Sequence, residues 1–219
     1  MLGFAPRAEP DVTSSRQPVD LAPKKLPVQR RSRDTFEALV AACTGLLPVR
    51  GYAGTTTNHI AQRAGVNIAS LYEYFPGKDA IVAQVAERLV QRVMGRLANG
   101  VPRVMAAGEA DAVRLWIELI HDTVAREKKL VSVFLREVPY TSQLDPIQAI
   151  GTKLLSFSQA MREQAGGFVR RDFSDASLHL VINLVTSTIL QCVLEPPDDV
   201  SRRELLDELV RRVDEWIRG

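Results

Sequence analysis

The sequence is poor in the residues that catalysis, metal binding and covalent cross-linking require. Only two cysteines and three histidines occur in 219 residues, and the histidines stand about sixty positions apart, without the spacing of metal ligands. Cys43 and Cys192 lie in apolar helical patterns, where a thiol behaves as a small hydrophobic group. No nucleophile beside a base, carboxylate pair or glycine-rich phosphate loop is apparent. We therefore expect no catalytic residue, no metal and no cofactor.

Long apolar runs and strand patterns are also missing. The longest apolar stretches, such as Leu180 to Val185, fall well short of the roughly 20 residues that cross a bilayer. The first residues lack the basic region and apolar block of a signal peptide. Almost no segment alternates apolar and polar residues with the period of two that strands show. The sequence therefore predicts a cytoplasmic, all-α protein without a membrane span.

The net positive charge is small overall but concentrated in one quarter of the chain. The net charge is +2, whereas residues 24 to 78 carry eight basic and three acidic side chains, a balance of +5. Five of these basic side chains form a run that contains no acidic residue: Lys24, Lys25, Arg30, Arg31 and Arg33. Such a run is typical of a flexible arm that contacts DNA, and equally of a solvated tail.

The apolar patterns divide the chain into three parts. Residues 1–30 hold five prolines among polar side chains, which predicts a disordered tail. Residues 31–77 contain three short helical patterns, the first from Ser32 until Pro48 and Gly51 end it. Residues 78–219 contain six helical patterns: Lys78 to Leu97, where the Asn99 to Pro102 stretch ends the helix, Ala112 to Arg126, Lys129 to Val138, Asp145 to Gly166–Gly167, Asp175 to Leu194, and Arg202 to Arg218.

The last two helical patterns are more apolar than one chain can cover. Asp175 to Leu194 is apolar nearly all round, and Arg202 to Arg218 carries a wide apolar stripe. This favours a homodimer that forms through these two helices, the alternative being a large intramolecular core.

A helix-turn-helix arrangement is indicated by the stretch from Thr55 to Phe75. Thr55 or Thr56 can cap a first short helix, Gly65 supplies a turn, and Asn67 caps a second helix. Two helices this short need support from a neighbour, which leaves one side of the second helix free. A helix of this kind fits the major groove of B-DNA.

The free side of the second helix can be deduced from its periodicity. With Leu71 and Phe75 pointing inward, Ala69, Ser70, Tyr72 and Glu73 lie on the opposite side and are candidates for base contacts. The Glu73 carboxylate either accepts a hydrogen bond from a cytosine amino group or forms an ion pair with a neighbouring basic side chain such as Lys78. Further candidates for DNA contacts flank this side: Thr55, Thr56, Asn67, Tyr74 and Lys78.

The segment from Gly51 to Val82 resembles the signature of the tetracycline-repressor (TetR) family of bacterial regulators. The shared features include Gly51-Tyr52, the threonine cap, Ala64-Gly65-Val66, Leu71-Tyr72 and Lys78. The resemblance implies a three-helix DNA-binding domain, a six-helix domain that binds a small molecule, and dimerisation through the last two helices. It also implies DNA contacts from Thr55, Thr56, Ser70, Tyr72, Tyr74 and Lys78. Ile68, Ala69 and Glu73 depart from the family's usual residues.

A pocket for a small molecule would be formed by the middle helices. Candidate residues are the aromatic and polar side chains Trp116, His121, Phe134, Phe157 and Asn183. A mostly apolar lining would favour an apolar molecule. We expect a dimeric repressor that binds a palindromic double-stranded DNA operator and is released by such an effector. The alternatives are an activator, a DNA-binding regulator or architectural protein without small-molecule control, and an all-helical enzyme.

Overall fold

The computed structural model describes residues 20–164 and 173–218. Within these residues the chain forms α-helices joined by short connections, one short 3-10 helix at Thr141–Gln143, and no strand. The helices are α1 Arg30–Gly54, α2 Thr57–Ala64, α3 Ile68–Tyr74, α4 Lys78–Ala106, α5 Glu109–Arg126, α6 Lys128–Arg136, α7 Asp145–Gln164, α8 Asp175–Leu194 and α9 Arg202–Arg218. The all-α prediction is confirmed.

The first of two hydrophobic cores supports the short helices α2 and α3. These helices have 8 and 7 residues and would be marginal in isolation. Ile60 of α2 and Leu71 of α3 are fully buried with Leu39 and Leu47 of α1, in a core that also includes the first half of α4 and most of α6. The helix-turn-helix unit is therefore held against α1 and α4.

Helix α1 passes through Pro48 and breaks at Gly51, the second of the two residues predicted to end it. Pro48 lies inside the helix, and the break comes at Gly51, which has φ 68° and ψ 177°. The prediction that Pro48 takes part in ending the helix was wrong, because packing of Leu46 and Leu47 in the first core keeps the backbone helical there. Gly51 is required at the break because its φ is positive and because a Cβ atom there would collide with the Glu137 carboxylate.

Helix α4 is also longer than predicted. It runs for 29 residues and passes through the Asn99 to Pro102 stretch that was expected to end it at Leu97. Leu97 and Val104 are both buried on its far half, so tertiary packing overrides the local breaker residues. Gly100 lies where the Leu119 side chain of α5 packs so closely that a Cβ atom would collide with it. α4 consequently contributes to both cores.

The second core is formed by the far half of α4 with α5, α7, α8 and α9. Ile117 and Ile189 are almost completely buried in it. The predicted bounds of α8 and α9 agree with the structure, whereas α5 and α6 begin three residues and one residue earlier than expected. The end predicted for α7 at Gly166–Gly167 lies outside the described residues.

Helix α8 has an unusual composition for a soluble protein. Its mean hydropathy reaches 1.7 over an 18-residue window, which together with its length of 20 residues meets the criteria for a membrane span, and it is the one such helix in the described parts of the chain. The sequence predicted a helix that is apolar nearly all round, but its unbroken apolar runs are too short to indicate a span. α8 packs on α5, α7 and α9 through Val185 and Ile189, and a core helix of a soluble protein meets the same criterion.

Candidate nucleic-acid interface

Helix α3 has one buried side and one exposed side. Leu71 and Phe75 are both 0% exposed, and Phe75 packs against Phe36 of α1 with ring centroids 4.7 Å apart. On the other side Ala69, Tyr72 and Glu73 are exposed, and the Ser70 side chain is partly exposed. We call Ala69, Ser70, Tyr72 and Glu73 the recognition face. The orientation of α3 that the sequence predicted is present in the structure.

The geometry of the turn between α2 and α3 follows from two residues. Gly65 ends α2 in the left-handed conformation with φ 66°. Asn67 then caps α3, because its Oδ1 accepts a hydrogen bond from the Ala69 amide at 2.8 Å. The Asn67 side chain is thus engaged by the helix that it begins, and it is exposed beside the recognition face.

The start of α2 lies next to the recognition face. Thr56 is the cap of α2, and its hydroxyl accepts a hydrogen bond from the His59 amide at 3.2 Å. The Thr57 hydroxyl lies 3.2 Å from the Tyr72 hydroxyl, which joins the two helices across their exposed surfaces. Sequence analysis did not name Thr57, although its place in the run of three threonines was a usable signal. Thr56, Thr57 and Tyr72 form one polar, solvent-facing group.

Two predicted DNA contacts point into the protein instead. Thr55 is 0% exposed, and its hydroxyl donates to the Gly51 carbonyl at 2.7 Å. Tyr74 is 7% exposed and packs edge-on against Phe36 at 6.1 Å. Both residues were predicted from their position beside the motif as well as from the family resemblance, and neither side chain lies on the exposed surface of the unit.

Glu73 and Lys78 also have partners that the sequence did not indicate. The Glu73 carboxylate lies 3.4 Å from the ammonium group of Lys25, not beside Lys78. Lys78 donates to the Tyr52 carbonyl at 2.9 Å, and its ammonium group lies 3.9 Å from the centre of the Tyr52 ring. The half-buried Lys78 is therefore engaged within the protein, and its contact with DNA stays a prediction.

The basic run is divided between an extended segment and the first turn of α1. Residues 20–29, which we call the N-terminal arm, precede α1 and end at its N-cap, Gln29. The Lys24 amide donates to the Tyr74 carbonyl at 2.8 Å, so this part of the predicted tail is fixed to α3. Arg30, Arg31 and Arg33 are exposed at the start of α1, where the helix dipole disfavours cations. Residues 1–19 lie outside the described residues.

A polar junction joins the helix-turn-helix unit to the rest of the chain. Asp79 Oδ1 accepts hydrogen bonds from the Tyr52 hydroxyl at 2.7 Å and from the Tyr140 hydroxyl at 2.9 Å. Glu137 accepts a hydrogen bond from the Tyr52 amide at 2.8 Å. Burial, followed by the hydrogen bond to Asp79, raises the pKa of Tyr52 to about 12 and raises the pKa of Tyr140 further. Both phenols are therefore fixed as hydrogen-bond donors at neutral pH.

The residues proposed to bind a small molecule do not converge on one site. Trp116 and Phe157 stack with ring centroids 5.2 Å apart, between α5 and α7. His121 is buried with its Nδ1 3.1 Å from Asp122, and Phe134 belongs to the first core. Asn183 is exposed on α8 and donates to the His179 carbonyl, so it lies on the outside. Only the pair Trp116 and Phe157 remains as a candidate lining.

A groove of about 490 Å³ lies elsewhere, between α1 and α4. The two arginines that line it already pair with carboxylates: Arg88 with Glu37 at 2.6 Å and Arg92 with Glu127 at 3.1 Å. Because its cations are engaged, the groove offers no evident site for an anionic ligand. Within the described residues no group of His, Cys, Asp and Glu side chains is arranged to hold a metal ion.

Comparison with known families identifies the N-terminal unit. Residues 39–85 match the family model described as bacterial regulatory proteins, tetR family. The chain is also 21% identical over 192 residues to an uncharacterized HTH-type transcriptional regulator, YuxN, of Bacillus subtilis. That match covers 85% of this chain and 64% of the relative, so the chain spans less than two thirds of the relative's length.

Solved structures share the fold over most of both chains. A structure from Mesorhizobium loti described as a TetR-family regulator superposes with a TM-score of 0.64 at 19% identity, covering 86% of this chain and 97% of that one. The TetR-family repressor FadR of Thermus thermophilus, solved in complex with lauroyl-CoA, gives 0.53 at 22% identity, with 83% and 92% covered. At these identities the likeness extends to the fold alone.

Proposed function

Because the chain belongs to the TetR family of helix-turn-helix transcriptional regulators, we propose that it represses transcription by binding a palindromic operator as a homodimer. Release of the operator would follow the binding of a small, apolar molecule. The protein is a DNA-binding regulator and not an enzyme. The observation that carries the proposal is the orientation of α3, with Leu71 and Phe75 fully buried and Tyr72 exposed on the opposite side.

The chemistry of the recognition face suits the major groove. Ala69 allows the helix backbone to approach the bases and can contact a thymine methyl group, and the hydroxyls of Ser70 and Tyr72 can donate or accept. Thr56 and Thr57 are placed to bond a phosphate beside it. The exposed cations of the first turn of α1 have no acidic residue in that turn, and phosphates would relieve their unfavourable interaction with the helix dipole.

The homodimer is supported by the uncovered side of α8. Leu180 and Leu184 are 57% and 40% exposed, and they share a stripe with Ser187 and Gln191 along the helix. Exposed leucines on so apolar a helix are characteristic of a surface that another apolar surface covers. α9 packs beside α8 and contributes half-buried residues such as Val210 and Trp216. A two-fold pairing of these helices would present two copies of α3 to successive major grooves.

The effector is proposed to bind in the second core. The stacked pair of Trp116 and Phe157 offers a flat apolar surface between α5 and α7. The fold resembles that of FadR from Thermus thermophilus, which was solved with lauroyl-CoA, and this favours a molecule with an acyl chain. The effector would act by binding more tightly to the conformation in which the two copies of α3 are wrongly spaced.

The junction at Asp79 provides a route between the effector and the operator. Tyr140 and Glu137 follow α6, whereas Tyr52 belongs to the end of α1 and Asp79 to the start of α4. A displacement of the chain after α6 would therefore act directly on the helix-turn-helix unit. α4 provides a second connection because it belongs to both cores.

A binding experiment tests the operator proposal. The purified protein is used to select sequences from a random DNA pool, and its affinity for the selected sequence is measured by fluorescence anisotropy. We expect Tyr72→Ala to weaken specific binding about tenfold or more and to leave weak, sequence-independent binding unchanged. Leu135→Ala removes an exposed side chain on α6 that is not part of the recognition face, and should have no effect. Affinity that is the same for all sequences and for Tyr72→Ala would contradict the proposal.

A further inference from the structure

The carboxyl end of α3 is completed by a residue from a distant part of the chain. The last carbonyl groups of a helix have no partner within the helix. Here the Lys24 amide donates to the Tyr74 carbonyl at 2.8 Å, and the Lys24 ammonium group donates to the Tyr72 carbonyl at 3.1 Å. These contacts bridge 48 positions (Lys24 to Tyr72) and 50 positions (Lys24 to Tyr74) of sequence, and they place a cation at the negative end of the helix.

The next residue of the arm contacts the recognition face itself. The Lys25 ammonium group lies 3.4 Å from the Glu73 carboxylate and 5.0 Å from the centre of the Tyr74 ring. Leu21, also in the arm, packs against the first core. The arm is therefore attached through Leu21, Lys24 and Lys25. Of these, Lys25 lies beside the one acidic side chain of α3.

We propose that Lys24 and Lys25 are positioning and specificity-determining residues of the recognition helix. Lys24 caps α3, and Lys25 compensates the charge of Glu73, so that Glu73 can select a base without repelling the duplex. The second part of this inference depends on the proposed function, whereas the capping by Lys24 does not.

The length of α3 makes a cap from outside the helix important. With 7 residues, the helix has about two turns, and its carbonyls near Tyr72 and Tyr74 form a large part of its hydrogen-bonding capacity. The residue after the helix, Phe75, is extended and buried, so a glycine cap of the usual kind is absent at this end. Lys24 provides the cap at this end of α3 instead.

The charge of Glu73 poses a separate problem for DNA binding. A lone carboxylate next to the phosphates weakens every complex, whatever the sequence. With Lys25 beside it the pair is close to neutral, and the carboxylate oxygens keep the capacity to accept a hydrogen bond from the N4 amino group of cytosine. Glu73 would then contribute discrimination between bases and Lys25 would offset its repulsion.

Hydrogen exchange tests the cap without any DNA. Lys24→Ala in the full chain removes the ammonium contact and should raise the exchange rate of the Tyr74 and Phe75 amides about threefold, the size expected of one lost hydrogen bond. Arg31→Ala removes a cation of the same run from α1 and should leave those rates unchanged. Equal rates in the Lys24→Ala variant and the unsubstituted protein would overturn the capping role.

A double-mutant cycle tests the pairing of Lys25 with Glu73 on the selected operator. We expect Lys25→Gln to weaken binding about fivefold in the otherwise unsubstituted protein, and less than about twofold in the Glu73→Gln background. Arg31→Gln, a matched loss of one charge, should weaken binding equally in both backgrounds. Glu73→Gln should also reduce the preference for cytosine in a repeated selection. Effects of Lys25→Gln that are equal in both backgrounds would overturn the compensation.

The two experiments also separate this inference from the proposed function. If the unsubstituted protein selects no sequence, the operator proposal and the pairing both fail, while the exchange rates still decide whether Lys24 caps α3. If a sequence is selected and the cycle shows no coupling, the operator proposal stands and Lys25 acts on phosphates alone.

Discussion

Helices α3 and α8 each leave one side uncovered, but the uncovered sides differ in chemistry. α3 exposes Tyr72 and Glu73, whose polar groups suit a hydrated groove, whereas α8 exposes Leu180 and Leu184. Exposing a polar side to water costs little free energy, so α3 is stable without a partner. Exposing an apolar side is unfavourable, so α8 is stabilised when another surface covers it. From this difference we propose a reversible, charged partner for α3 and a permanent, apolar partner for α8.

The largest expected effect comes from removing Phe75, the buried side chain that holds α3 with its polar side exposed. We expect Phe75→Ala to lower the free energy of unfolding by about 3–5 kcal/mol, because a fully buried ring in contact with Phe36 is replaced by a cavity. Chemical denaturation followed by circular dichroism measures the change. Val49→Ala, at a side chain that is 80% exposed, should change it by less than about 0.5 kcal/mol. A small loss in Phe75→Ala would show that α3 is not held by this core.

The second test concerns the apolar side of α8. Leu184→Asp is expected to weaken self-association about 100-fold, since a leucine proposed to be buried between subunits is replaced by a charge. Sedimentation equilibrium measures the dimer dissociation constant. Leu135→Asp is a matched control, because Leu135 is 52% exposed on α6, outside the α8 stripe. Unchanged association in the Leu184→Asp variant would remove the distinction between α3 and α8.

The third test addresses the junction between the two regions. Tyr140→Phe removes one hydrogen bond to Asp79 and should lower the free energy of unfolding by about 1.5 kcal/mol, the magnitude typical of a bond to a charged group. Because the pKa of Tyr140 is raised in the folded state, its contribution is complete below the unfolded value of 10.0 and is lost as the pH rises above it. Urea titrations at pH 8 and pH 11 should therefore show a smaller difference at the higher pH.

Tyr72→Phe is the control for that measurement, since it removes a phenol hydroxyl from an exposed side chain. It should not alter the free energy of unfolding at either pH by more than about 0.5 kcal/mol. Equal losses in Tyr140→Phe and Tyr72→Phe would show that the junction contributes nothing beyond an ordinary surface tyrosine.

The smallest expected effect is at Glu127, which links α4 to the connection between α5 and α6. Hydrogen bonds from Arg92 lower the pKa of Glu127 below its ordinary value of 4.5. Its contribution is therefore present above pH 4.5 and is lost as the pH falls through the lowered value. Thermal unfolding should show Glu127→Gln less stable by about 0.5 kcal/mol at pH 7, with the difference shrinking as the pH falls below 4.5.

Glu118→Gln gives the comparison for that experiment. Its carboxylate is exposed and lies 3.8 Å from Arg114 on the same helix, so its loss should be smaller at pH 7. A Glu127→Gln difference that does not shrink as the pH falls below 4.5 would contradict the assignment to an ion pair.

The features that the sequence predicted well depend on local interactions. Gly65 and Asn67 act on backbone groups within four residues of themselves, so their roles in the turn could be deduced directly. The bounds of α8 and α9 are equally local, because a capping serine and a first-turn acid begin each helix. The inward direction of Leu71 followed from helical periodicity alone.

The features that the sequence missed depend on distant contacts. Nothing near Asp79 indicates that Tyr140, 61 residues away, donates to it, and nothing near Glu73 indicates Lys25. Pro48 and the Asn99 to Pro102 stretch are local breakers that packing overrides. Thr55 was misplaced because two neighbouring threonines can both cap α2, and only the fold determines which one turns inward.

Helix α4 is long enough to amplify a small movement at one of its ends. A helix of 29 residues at 1.5 Å per residue is about 43 Å long, and it is embedded at one end beside α3 and at the other in the second core. Acting as a lever, such a rod converts a tilt of about 5° at one end into a displacement of about 4 Å at the other. That distance is close to the ~3.4 Å rise of one base pair. A tilt of a few degrees around a bound molecule would be enough to change the spacing of the two proposed copies of α3, so that they no longer match successive major grooves.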